Sequence, residues 1–199
     1  MNKYSVLNGL NSEEINGLSV CLHFEERNFK KGDTIMKLSE NTAESGILRS
    51  GLAYLKSIDD QGEENILDLY REGSIFGSIL SMDTDVNLYY IFAKTDCTVS
   101  FFSTKAITGL CSNMCARHIR FIENVITSSV CRSRIHIDIL SQRTIRKKLL
   151  TFYKYFVQDS EKVRNEMPFT LSDLAEYICV DRSAMMRELA KMERENIIF

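Results

Sequence analysis

The chain has 199 residues, 44% hydrophobic and 26% charged, an ordinary globular composition with room for one or two compact domains. No run of 18 apolar residues exists and the start MNKYSVLNGLNSEE lacks an apolar core, so no membrane span and no signal peptide are expected, and a cytoplasmic protein follows. The formal net charge of −2 excludes a strongly basic nucleic-acid binder, although residues 142–199 carry 11 Lys+Arg against 9 Asp+Glu while residues 1–141 carry 14 against 18.

In chain order, Ser12 followed by Glu14, Ile15, Leu18 and Leu22 reads as a capped helix over about 12–24. From Phe29 to about Phe102 the pattern changes to short strands: Thr34–Leu38, Gly46–Arg49, Ala53–Ile58, Glu64–Tyr70, Phe76-Gly77, Leu88–Ala93 and Thr98–Ser103. Glycines at 32, 51, 62, 73 and 77 punctuate them, which indicates an antiparallel barrel or jelly roll. The turn Asp59-Asp60-Gln61-Gly62 needs a positive φ at Gly62. The segment from Ile79 to Phe92 holds an apolar, aromatic group that includes Leu80, Leu88, Tyr89 and Tyr90. These residues either fill the barrel or line a pocket for an uncharged or aromatic small molecule.

Thr104 to Ser141 reads as mainly helical. A helix over 113–138 would be about 39 Å long, more than one small domain covers. Its apolar stripe includes Ile119, Ile122, Val125, Ile126, Ser129, Val130 and Ile139, interrupted by Arg132 and His136. The stripe needs a partner helix or must pack on its own barrel. After a break at Ser141 a new helix buries Ile145, Leu149, Phe152, Tyr153 and Phe156, and turns Arg146, Lys147, Lys148 and Lys154 outward to solvent or to a phosphate backbone. A polar connection, Asp159 to Pro168, leads to FTLSDLAEYICVDRSAMMRELAKMERENIIF. Thr170 with Asp173 reads as a capping box and Asp181 as a second N-cap. Leu174, Ala175 and Ile178, then Met185, Leu189 and Met192, supply apolar faces. Two short helices with a tight turn are a helix-turn-helix or an ordinary helical hairpin.

The six cysteines, at 21, 97, 111, 115, 131 and 179, form no CxxC pair, and histidines 23, 118 and 136 do not cluster with them. Buried inert thiols in a reducing cytoplasm are expected, with no metal site and no catalytic residues. No set of His, Cys and carboxylates converges as an enzyme would need.

The last stretch resembles the DNA-binding motif of the Crp/Fnr family of bacterial transcription regulators, and the likeness covers nearly the whole chain. Arg182 and Arg187 match the two arginines of the family's recognition helix; Ser183 stands where a Glu is common, and Cys179 where the turn often has Gly. The barrel is similar to the family's cyclic-nucleotide-binding β-roll, its glycines at the family's turn positions and Ala93-Lys94-Thr95-Asp96-Cys97 like the strand leaving the pocket. The phosphate cassette departs from the pattern. Ser78 follows Gly77 in place of Glu, and Asn87 and Leu88 stand where an Arg and a Ser or Thr hold the cyclic phosphate.

The resemblance implies an α+β protein with three parts: a β-roll sensor over 1–112, a dimerisation helix over 113–141 and a helix-turn-helix domain over 142–199. Family members usually continue past the position of Phe199 into a β-hairpin wing, which here is either removed or missing from the domain. It implies a homodimer through Ile122, Val125, Ile126 and Ser129, and double-stranded DNA read by Arg182, Ser183, Arg187 and Lys191. RNA polymerase is a further implied partner. With Cys21 alone near the N-terminus, it implies no iron–sulfur cluster, no haem and no other cofactor. The expected function is a dimeric regulator answering a signal other than cyclic AMP; the alternative is an effector-binding or protein-interaction module that does not bind specific DNA.

Overall fold

The computed structural model describes residues 5–38, 43–80, 88–108, 115–156 and 169–197. The chain divides into two compact units, Met1–Cys131 and Arg132–Phe199.

In the first unit, helix α1 (Ser12–Leu22) starts where the sequence suggests and ends two residues sooner. Asn11, not Ser12, is the cap: its side chain accepts from the Glu14 N–H at 2.9 Å while the Glu14 carboxylate accepts from the Asn11 N–H at 2.9 Å. This reciprocal box satisfies two donors that the first turn leaves open. The strands are β1 (Glu25–Phe29), β2 (Thr34–Leu38), β3 (Glu44–Ser50), β4 (Ala53–Ile58), β5 (Glu64–Tyr70), β6 (Ile75–Gly77), β7 (Leu88–Ala93) and β8 (Cys97–Ser103). They form two four-stranded antiparallel sheets, β1-β8-β3-β6 and β2-β7-β4-β5.

Strand β1 is absent from the sequence reading because it has no alternation to read: four of its five residues are exposed. Pairing with β8, from Glu25↔Phe101 to Phe29↔Cys97, makes it a strand. At the β4–β5 hairpin, Gly62 has φ +83°, as the turn requires. The Asp59 carboxylate there accepts from the Gln61 and Glu63 N–H groups, both at 2.9 Å. Gly77 has φ +104°, and a Cβ there would lie 2.7 Å from the Glu44 carbonyl, so the chain turns out of β6 against bare backbone.

Two cores result. Between the sheets lie Leu48, Tyr70, Phe76, Ile91, Val99 and Phe101, with the Phe76 ring 5.4 Å from Tyr70 and 6.5 Å from Phe101. On the other side of the first sheet, helices α1, α2 (Lys105–Thr108) and α3 (Ala116–Leu140) contribute a second cluster around Leu18, Ile47, Ile75, Phe102, Phe121 and Val125. Helix α3 is also fastened to the N-terminal segment by Asn124 Nδ2, which donates to the Val6 and Asn8 carbonyls, and by Arg120, which donates to the Gly9 carbonyl.

The second unit contains the end of α3, then α4 (Ile145–Phe156), α5 (Leu171–Tyr177) and α6 (Arg182–Arg194). Its centre is aromatic. The Phe152 ring lies 4.7 Å from Phe156, 5.6 Å from Phe169 and 6.3 Å from Tyr177. His136 stacks on Tyr177 at 4.2 Å, and its Nε2 is 2.8 Å from the Tyr177 carbonyl. Burial pushes the Tyr153 phenol up to about 12, with Glu193 adding to it. No helix of the described residues is long and apolar enough to cross a membrane.

Candidate functional site

The two helices of the C-terminal motif are capped as their residues suggest. Thr170 and Asp173 form the reciprocal box of α5, and the Asp181 carboxylate accepts from the Ala184 N–H at 2.8 Å at the start of α6. Helix α5 ends in a Schellman arrangement. The Val180 N–H donates to the Ala175 carbonyl and the Cys179 N–H to the Glu176 carbonyl, both at 3.0 Å. Cys179 takes the left-handed position with φ 52°, where a non-Gly residue costs about 1–2 kcal/mol. Lys148 offsets part of that cost: its ammonium donates to the Ile178 carbonyl at 2.8 Å and the Cys179 carbonyl at 3.4 Å.

Helix α6 buries Met185, Leu189 and Met192 at i, i+4 and i+7. Ser183, Arg187, Ala190 and Arg194, spaced i, i+4, i+7 and i+11, form the opposite face, and all four are exposed. Arg182 is exposed at the first turn and Lys191 is exposed beside the face. Arg194 belongs to this constellation and was missed by reading the arginines only against the family pattern. Its i+11 spacing from Ser183 was the available signal.

The basic run on α4 is not the uniform outward face its sequence suggests. The Arg146 guanidinium is hydrogen-bonded to Glu188 and Glu195, which draws α4 onto α6. Arg146 in turn holds the Glu195 carboxyl below its usual range, so this contribution is present above ordinary carboxylate pKa values and is lost as pH falls through the depressed one. With Arg146 and Lys148 committed within the unit, Lys147 and Lys154 remain as the exposed cations of the run.

The apolar residues proposed from sequence for an effector pocket do not share a face. Strand β7 pairs with β4 without interruption from Leu88↔Ile58 to Ala93↔Ala53. Ile91 and Ala93 point into the inter-sheet core, so alternation puts Tyr89 on the inward side and Leu88 and Tyr90 outward. Leu88 is 48% exposed, and the Lys37 ammonium lies 5.8 Å over the Tyr90 ring. The Leu80 side chain, Met82 and Asn87 lie outside the described residues. Ser78 sits half-buried in a short 3-10 turn directly after Gly77.

The seam residues expected on α3 also divide between faces. Val125 is 4% exposed and belongs to the core of its own unit, with Ile122 packed against the same cluster. Ser129 donates to the Val125 carbonyl at 2.7 Å. Only Ile126 of the four stands open, 60% exposed, together with Ile119 and Val130; Ile137 follows in the second unit. These recur at spacings of seven, four and seven, an open stripe within about 40° on the helix surface. The sequence reading had merged this stripe with the one used by the barrel.

The thiols likewise depart from expectation: Cys21 and Cys179 are exposed and Cys97 is buried. Among the described residues, no group of three His, Cys, Asp or Glu side chains is placed to hold a metal ion.

Residues 26–114 match the cyclic nucleotide-binding domain family. No curated protein matches the chain by sequence. Among solved structures, the c-di-GMP-responsive global regulator CLP of Xanthomonas campestris is similar over 94% of this chain and 93% of its own, with a TM-score of 0.70 at 13% identity. CprK in complex with OCPA is similar over 92% and 86%, with a TM-score of 0.67 at 20% identity. FixK2 of Bradyrhizobium japonicum is similar over 87% and 86%, with a TM-score of 0.66 at 14% identity. The chain thus carries a segment that matches the cyclic nucleotide-binding domain family, and it shares its fold with these solved structures.

Proposed function

We propose that this protein is a homodimeric, DNA-binding transcription regulator of the Crp/Fnr type that answers a signal other than cyclic AMP. The observation that carries this reading is α6: a capped helix whose apolar side is buried and whose free side is Ser183, Arg187, Ala190 and Arg194. Arg182 and Ser183 occupy its N-terminal turn, the part of a recognition helix that meets base edges. Arg187 is assigned to pair bidentately with guanine O6 and N7, while Ser183 is less selective than a carboxylate at that position. Lys191, with Lys147 and Lys154 of α4, is assigned to the phosphate backbone. The open stripe Ile119–Ile126–Val130 on α3 is assigned to the second copy of the chain, so that two recognition helices meet successive major grooves. RNA polymerase is proposed as a further partner on the sequence resemblance alone. Selection of sites from randomised DNA by the dimer is expected to enrich a palindrome with half-sites one helical turn apart. Recovery of no common sequence would reject the reading.

The sensor half is assigned to an effector without a phosphate to anchor. Ser78 supplies no carboxylate for a ribose, and Leu88 supplies no hydroxyl for a cyclic phosphate. The described core between the sheets is apolar and aromatic. A charged phosphate there would be desolvated without the guanidinium of the family's cassette, whose position Asn87 takes in this sequence. Calorimetric titration with cyclic AMP is therefore expected to give no saturable heat at micromolar nucleotide. Saturable micromolar binding would show that another cation replaces the missing arginine.

A further inference from the structure

Cys115 immediately precedes α3, where a capping side chain belongs, and a second polar side chain is aimed at it. His118 Nδ1 lies 3.0 Å from Cys115 Sγ, and the His118 residue is 3% exposed. The Arg117 guanidinium also hydrogen-bonds the sulfur; it lies across α1 at Gly17, where an added methyl group would collide with Arg117 Nη1. Two side chains thus converge on one partly exposed sulfur, the His118 ring and Arg117, beside the His118 backbone N–H, which donates to the Cys115 carbonyl at 2.9 Å. The other ionisable groups acting on Arg117 are Cys21 and Glu14 of α1.

We infer that Cys115 is a thiol modification site, a thiolate held by His118 and Arg117 at the base of α3 that reacts with hydrogen peroxide. In the reaction the thiolate sulfur attacks one peroxide oxygen. An S–O bond forms and the O–O bond breaks; the sulfur loses two electrons to give sulfenic acid and the peroxide is reduced. The departing hydroxide takes a proton from the His118 ring or from solvent and leaves as water. The site is independent of whether the chain binds DNA.

The same donors, the His118 backbone N–H first, bring the Cys115 thiol down to about 6. That sets the conditions of the test. At pH 6 such a thiol is about half thiolate, whereas an ordinary one is about 0.3% thiolate. Its lower basicity costs on the order of tenfold in intrinsic nucleophilicity. The net advantage is on the order of tenfold at pH 6 and is gone by about pH 8.

The experiment treats the intact protein with hydrogen peroxide at pH 6 and pH 8, traps sulfenic acid with a cyclic 1,3-diketone, and measures each cysteine by peptide mass spectrometry. Cys21 and Cys179, both exposed, are the internal comparators. Cys115 is expected to be trapped about tenfold faster than either at pH 6 and to lose that lead at pH 8. His118→Asn and Arg117→Gln should each shrink the lead at pH 6. Trapping of Cys115 no faster than Cys21 and Cys179 at pH 6 would overturn the proposal, as would a lead that both variants leave unchanged. Because the decisive comparison is within the unaltered protein, it does not depend on the variants folding.

Discussion

Replacing Phe152 with alanine is expected to destabilise the C-terminal unit by about 3–5 kcal/mol, the usual cost of deleting a fully buried phenyl ring. Phe152 has no exposed surface and contacts Tyr153, Phe156, Phe169 and Tyr177, which come from α4, from α5 and from the residue before its cap. Removing it leaves those rings without a common centre. A loss of that size is a large part of a domain's whole stability. Hydrogen exchange resolves the two units: amides of α4, α5 and α6 should lose at least about 100-fold of their protection, while those of β3, β4 and β8 keep theirs. A change under about 1 kcal/mol, or an equal loss in the strands, would show that the ring is not the unit's keystone.

Placing carboxylates on the open stripe of α3 is expected to dissociate the dimer. Ile126 and Val130 are 60% and 61% exposed, so Ile126→Glu with Val130→Glu leaves the barrel packing of Phe121 and Val125 untouched. At a helix–helix seam, however, each substitution sets a charge against the partner's apolar stripe, at a cost of several kcal/mol. Since each 1.4 kcal/mol is a factor of ten, sedimentation equilibrium should show dimer association weakened at least 100-fold with an unchanged circular dichroism spectrum. An unaltered dimer constant would move the interface off this stripe. The companion pair Ile122→Glu and Val125→Glu is expected to unfold the first unit instead, because those side chains belong to its core.

What could be read from the sequence, and what could not, follows from whether a signal is local. Strands β2, β4, β5 and β7 run between the residues the sequence marks, because short apolar runs and the turn residues that bound them are local signals. The caps at Thr170 and Asp181 were legible because a cap acts over three residues. Strand β1 was not, since its structure comes from a partner strand about 70 residues away. Arg146 looked like a free cation because its two carboxylates lie 42 and 49 residues further on. On α3 the apolar residues were visible but their division was not: Phe121 and Val125 face the barrel, whereas Ile119, Ile126 and Val130 face away. A stripe more than one face wide signals two partners, and only the fold says which residue serves each. Cys115 and His118 stand three apart, a spacing the sequence does show, yet only the position of Cys115 directly before α3 brings its sulfur to the buried ring.

Base reading by α6 is tested most directly by comparing Arg187→Ala and Lys147→Ala with the unaltered dimer on its selected site, on single-base variants of that site and on random DNA, over a range of salt. A bidentate arginine–guanine pair discriminates by about 1–3 kcal/mol, whereas a phosphate contact strengthens all sequences alike and contributes about 0.9 to the salt slope. Arg187→Ala should therefore lose about 5- to 150-fold of preference at one base position in each half-site. Its binding to random DNA should fall far less. Lys147→Ala should weaken cognate and random DNA by the same factor and shallow the slope. An Arg187→Ala dimer that keeps the full preference at every position of the half-site would contradict the assignment of this helix as the reader.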